Sequence, residues 1–240
     1  MWSKRMIILS LALVCSKPAI AQDGGSLEHR QWESSGFAGG SFTTSFRLPT
    51  PVFGSDQEIS RTVRMRHASG YEIGARITDN FKASWSGGLE YSFGHQDLRF
   101  TNLSPAIQSL SLTQYTHRFS YNVAYLPLPP VKRFRPYGDV GVGTALYLLP
   151  GESKEAGAAL GLNLRDSWVF LVNCGGGFRY LLRDQLAFNL DVKDRLSNVP
   201  SYGLPAAARV VNGQYQTGML THGVAQNWQI NFALTFQWDE

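Results

Sequence analysis

The sequence predicts an all-β chain: an eight-stranded antiparallel up-and-down β-barrel whose strands cross a membrane. Three observations carry that reading. Segments alternating at period two recur from residue 35 to the end. The connections between them are short and long by turns. The large apolar side chains of each segment gather on one face, and many of them are aromatic.

Ahead of the barrel stands "MWSKRMIILSLALVCSKPAIAQDGG". Lys4 and Arg5 precede a short apolar run, and Ala19-Ile20-Ala21 forms a small-residue cleavage site, so residues 1–21 are expected to be a cleaved export signal. A polar leader over 22–34 follows. No later apolar run approaches the roughly 18 residues of a transmembrane helix. Cleavage would take Lys4, Arg5 and Lys17 out of the 22 basic residues and leave all 18 acids, a balance of +1. The sequence pI of about 9.1 is therefore partly a property of the signal, and an exported chain so nearly neutral gives no reason to expect nucleic acid. Only Cys174 remains after cleavage, so no internal disulfide is available.

The predicted strands run in order through the 35–240 domain. "SGFAGGSFTTSFRL" is the first. "SGYEIGARI" sets Tyr71, Ile73, Ala75 and Ile77 against Glu72, Gly74 and Arg76. "KASWSGGLEYSFG" sets Trp85, Leu89, Tyr91 and Phe93 against Lys82 and Glu90. "YTHRFSYNVAYL" sets Phe119, Tyr121, Val123 and Tyr125 against Arg118, Ser120 and Asn122. "YGDVGVGTALYL" carries Asp139, and "WVFLVNCGGGFRYL" carries Arg179. "LAFNLDVK" sets Leu186, Phe188, Leu190 and Val192 against Asp191 and Lys193. "NWQINFALTFQW" ends the series, with Trp228, Ile230, Phe232, Leu234, Phe236 and Trp238 on one face. "TDNF", "LRDQ" and the proline-rich "PLPPVKRFRP" read as short turns. The intervals 47–68, 94–113, 149–166 and 194–226 read as long external loops, and an even strand number puts both termini on the other side. No helical pattern is read outside the signal.

The facing decides what such a barrel does. So many large rings would overfill the interior of a soluble eight-stranded barrel, while aromatics at strand ends suit the interfacial girdles of a membrane barrel. The apolar face is therefore expected to meet lipid. The wet face then lines a narrow lumen and brings together Glu72, Arg76, Lys82, Glu90, Arg118, Asp139, Arg179, Asp191 and Lys193. Acids and bases there nearly cancel, as a polar plug requires. A narrow conducting pore is the alternative reading of the same residues.

"RPYGDVGVGTALY" and "NCGGGFRYLLRDQLAFNLDVK" are similar to strands of the small eight-stranded outer-membrane barrels of the OmpA/OmpX type, and the resemblance covers roughly residues 35–240. It implies residence in a cell outer membrane, contact with its lipids and lipopolysaccharide, a monomer, and a last strand, Trp228 to Trp238, read by the outer-membrane assembly machinery. It implies architecture and hardly any activity. No cofactor and no metal is expected.

The external rim holds the remaining candidates. His67, His95, His117 and His222 fall in or near the long connections, but their spacing matches no metal motif. Arg61, Arg64 and Arg66 suit lipopolysaccharide phosphates. "RHASG" puts His67 and Ser69 at the spacing of some outer-membrane lipid-modifying enzymes, yet no orienting group or oxyanion site can be assigned, so the chain is read as no enzyme.

Overall fold

The computed structural model describes residues 31–238 apart from 44–45, 55–56, 102–108, 131, 161, 184, 205–208, 212–213 and 217–222. The expected signal, most of the expected leader and His222 lie outside the described residues.

Alternation at period two produces the strands β1 (Trp32–Thr43), β2 (Phe46–Gly54), β3 (Gln57–His67), β4 (Gly70–Lys82), β5 (Trp85–Thr101), β6 (Ser109–Tyr125), β7 (Phe134–Leu148), β8 (Ser167–Arg183), β9 (Leu186–Asn198), β10 (Arg209–Val211), β11 (Gln214–Gln216) and β12 (Val224–Trp238). One helix, α1 (Gly151–Ala158), lies between β7 and β8. The order β1-β4-β5-β6-β7-β8-β9-β12 closes on itself through antiparallel pairs, so the barrel has eight staves. Closure runs from Trp32 opposite Trp238 to Thr43 opposite Asn227. Every strand in the ring has two partners, as backbone in hydrocarbon demands. The remaining strands form two hairpins, β2–β3 and β10–β11; β3 also pairs with the end of β5 over Arg64–His67. Pro49 and Pro51 are tolerated in β2 because it is a sheet edge.

The apolar face points outward. Leu89, Phe232 and Leu234 are 67%, 55% and 56% exposed, while Gln229, Asn231 and Thr235 between them are buried. Trp228, Ile230, Phe232, Leu234, Phe236 and Trp238 all lie on this outer side of β12. Inward Gly141 is closely packed: a Cβ there would collide with Asn122 Oδ1. Phe37 is the exception that points inward from β1. Its ring occupies the space left by Gly74, with the Arg76 guanidinium 5.8 Å from its centroid.

The strands depart from the expected limits in instructive ways. β1 begins at Trp32 rather than residue 35, which brings Glu33 inside. "TDNF" is not a turn: a bulge between Asp79 and Lys82 lets β4 continue, and the turn falls at Ala83–Ser84. The long connections are in large part structure. β5 and β6 remain paired to Thr101 and Ser109, 47–68 holds the β2–β3 hairpin, and 149–166 holds α1. That helix follows Pro150, has Glu152 in its first turn, and buries only Ser153 and Gly157, so it carries no apolar stripe to read.

The reason is an inversion of the two faces. Along β5 the inward positions run Glu90, Ser92, Gln96 and then Leu98 and Phe100; the outward ones run Leu89, Tyr91, Phe93, His95 and then Asp97 and Arg99. The backbone does not change, but the apolar face crosses from outside to inside above His95. β6 does the same from Leu112 outward. Above the crossing the barrel is built like a soluble one. Met65, Leu98, Phe100, Leu112, Tyr147 and Leu171 pack with Leu162, Leu164, Tyr202 and Leu204 of the connecting loops into one core.

Candidate functional site in the lumen and at the external rim

Strand alternation delivers charges of both signs to one enclosed space. Glu72 on β4 accepts hydrogen bonds from Arg118 on β6, Arg195 on β9 at 3.0 Å, and Gln229 on β12. Glu90 on β5 accepts from Arg76 at 2.9 Å, Lys193 at 2.6 Å and Arg195 at 2.7 Å. Arg76 reaches Asp191 at 2.9 Å and Lys193 reaches Asp139 at 3.3 Å. Arg179 forms a bidentate pair with Glu33, both bonds 2.6 Å. Eight of these residues form one linked, neutral set, Glu72, Glu90, Asp139 and Asp191 against Arg76, Arg118, Lys193 and Arg195, and Arg179–Glu33 is a separate neutral pair. Glu72 and Asp191 are fully buried. At the mouth nearer the barrel's two chain ends, Arg135 bonds the carbonyls of Leu128 and Ala83.

Eight of the nine predicted lumen charges are ion-paired here, seven in the linked set and Arg179 with Glu33. Lys82 is not: the bulge shifts it opposite Trp85 in the turn, and it is exposed. Two ion-paired residues were missed. Arg195 bridges Glu72 and Glu90, yet it stands in a stretch read as loop; continuing Ala187, Asn189, Asp191, Lys193 by one more step would have found it. Glu33 was hidden in the leader.

The three described histidines form no common site. His67 is buried under the external core, 3.3 Å from Gln96 through Nδ1, with its ring 5.6 Å from Tyr147 and 6.4 Å from Tyr202. His95 stacks on Tyr71 on the outer face, ring centroids 5.2 Å apart, and His117 Nδ1 lies 2.9 Å from Tyr91 Oη on the same face. His67 is buried and Ser69 exposed, so the pair in "RHASG" shares no site. Arg66 is exposed; Arg61 and Arg64 stand on β3.

Below His67 is a cavity of about 10 Å³, room for about one water, lined by Gln96, Arg118, Arg195, Ser197 and Asn227. Tyr202 packs against His67 and Tyr147, which line it. Tyr202 has a left-handed backbone, φ 50°, and donates from Oη to Gln114 Oε1 at 2.9 Å. Asp166 secures the neighbouring loop by accepting from Leu149 N at 3.0 Å and pairing with Lys154.

His67 lies above the outward aromatic rows and is held neutral. Burial, then the positive charge of Arg118, lower its pKa to about 4, against a smaller opposing hydrogen bond with Gln114. The unfolded chain takes up a proton near pH 6.5 and the folded one only near 4. The stabilisation is thus complete above about 6.5 and is lost as pH falls toward 4, up to about 3 kcal/mol. Urea unfolding at pH 7.5 and pH 4.5 is expected to show this loss in wild type and a flatter profile in His67→Gln. Equal slopes in both proteins would mean that His67 titrates normally.

The geometry defines a class: a closed antiparallel barrel with the fold of the small eight-stranded outer-membrane proteins. Among solved structures the chain is similar to the outer membrane protein OprG of Pseudomonas aeruginosa, at 17% identity over 88% of this chain and 98% of that one, with a TM-score of 0.56. Weaker likenesses are the neisserial surface protein A (8% identity, 86% and 97% covered, TM-score 0.46) and the N-terminal barrel domain of Pseudomonas aeruginosa OprF (12%, 85% and 97%, TM-score 0.44). At these identities the likeness is one of fold. No family model and no curated protein matches the sequence.

Proposed function

We propose that this chain is an integral outer-membrane barrel with a structural and surface-interaction role, and that its lumen is a plug. The observation that carries the reading is the neutral eight-residue ion-pair network across the bore, with the separate Arg179–Glu33 pair beside it. A conducting path needs water past these groups, and each is committed to a partner of opposite charge. The external core over Met65, Leu98, Phe100 and Tyr202 supports a second closure on the outer side.

In this reading residues 1–21 direct export and are removed. The assembly machinery reads β12 through Trp228 to Trp238, and the barrel acts as a monomer because its closed ring leaves no strand edge in lipid. Lipopolysaccharide or other surface partners meet the external extensions, among them Arg61, Arg64 and Arg66. No catalytic role is assigned.

Conductance of the refolded chain in a planar bilayer tests the plug. Silence is expected from protein shown to be folded, for wild type and for Arg118→Ala. Discrete steps in wild type would replace the plug with a narrow pore for ions or small solutes.

A further inference from the structure

One register position in the external extension runs against sheet energetics: Arg66 on β3 stands opposite Arg99 on β5. Like charges directly across a sheet repel. Arg66 and Arg99 are both exposed on the outer face, with Ser111 of β6 next in the row. One carboxylate, Asp97, reaches Arg99 at 3.6 Å, with both side chains open to solvent, and such a pair compensates little.

The height of this row is informative. Toward the periplasm the outer rows are Tyr71–His95–Tyr115 and then Ile73–Phe93–His117. Stacked rings of this kind mark the boundary between acyl chains and head groups. Arg99 is four residues beyond His95 on β5, which is about 14 Å along the strand and about 10 Å in depth at the tilt of such barrels. The arginines therefore stand at head-group level, facing lipid.

We propose that the outer face of β3 and β5, centred on Arg66 and Arg99, binds the phosphates of a phosphorylated outer-leaflet glycolipid. The proposal rests on the membrane placement argued above and names the lipid chemistry that meets this face. A phosphate seated between the two guanidiniums accepts hydrogen bonds from both and removes their repulsion. Lipid, rather than a soluble anion, is the occupant because, beyond the single Asp97–Thr113 row, the aromatic rows below offer a surface for its acyl chains.

The test titrates bis-phosphorylated lipid A into the folded full chain in neutral detergent and follows tryptophan fluorescence. Dephosphorylated lipid A and inorganic phosphate are run beside it. Arg66→Gln/Arg99→Gln is the variant; both side chains are exposed, and in detergent alone it should be at least as stable as wild type. Binding of the phosphorylated lipid is expected, weakened about 30-fold in the variant at about fivefold per arginine. Equal affinity in wild type and variant overturns the proposal, as does equal binding of the dephosphorylated lipid. Saturation by inorganic phosphate at the same concentration overturns the choice of lipid. Insertion into phosphatidylcholine vesicles separates the two levels: a chain that inserts but ignores lipid phosphate refutes only this proposal, and one that does not insert refutes the membrane reading beneath it.

Discussion

Glu90→Gln will lower the unfolding free energy of the folded barrel by about 3–5 kcal/mol, the cost of leaving buried charge uncompensated. Glu90 is the acid on which Arg76, Lys193 and Arg195 converge. Glutamine keeps the volume and removes the charge. Each cation retains one other partner, Asp191, Asp139 and Glu72 respectively, which keeps the loss from being larger. Glu90→Gln/Lys193→Met should recover part of it, because one of the three cations leaves with the acid. Urea titration of the refolded protein in detergent, read by the mobility difference between folded and unfolded forms, measures both. A loss below about 1 kcal/mol would mean that water screens the network. The bore would then be hydrated, and the plug reading would fail with it.

Tyr202→Ala is expected to open the external closure and leave the inner one intact. A buried aromatic truncated to alanine costs about 3–5 kcal/mol, and here the bond to Gln114 and the packing over His67 and Tyr147 go together. The loss falls on the 199–204 loop and its seat, so local opening reports it better than global unfolding. His67, buried in wild type, should react with diethylpyrocarbonate about 100-fold faster in the variant, with the site assigned by peptide mass. Bilayers holding the variant should stay silent, since the Glu72 and Glu90 ion pairs lie deeper. An unchanged reaction rate would mean that Tyr202 seals nothing.

These two closures also mark where the sequence could and could not be read. Period two with a persistent apolar face is a local property of each strand, and it identified the eight staves, their antiparallel order and the outward set on β12. Membrane and lumen impose opposite polarity on neighbouring residues, so eight of the nine lumen charges were visible one strand at a time. Lys82 failed because a single bulged residue exchanges faces, and no composition signal announces a bulge. Arg195 and Glu33 failed because the ends of β9 and β1 looked polar on both sides.

What the sequence by itself determined is the barrel, its facing through the membrane and the near-neutral filling of its lumen, because each follows from alternation within a strand. Tertiary structure alone decided which acid meets which base, since Arg76, Lys193 and Arg195 converge on Glu90 only after three separate strands are rolled into a ring. It also decided the fate of the long connections. Above His95 the strands continue with their polarity reversed, and a reader following the apolar face sees that reversal as the end of a strand. Only the ring of neighbours that buries Leu98, Phe100 and Tyr202 reveals it as the start of a second core.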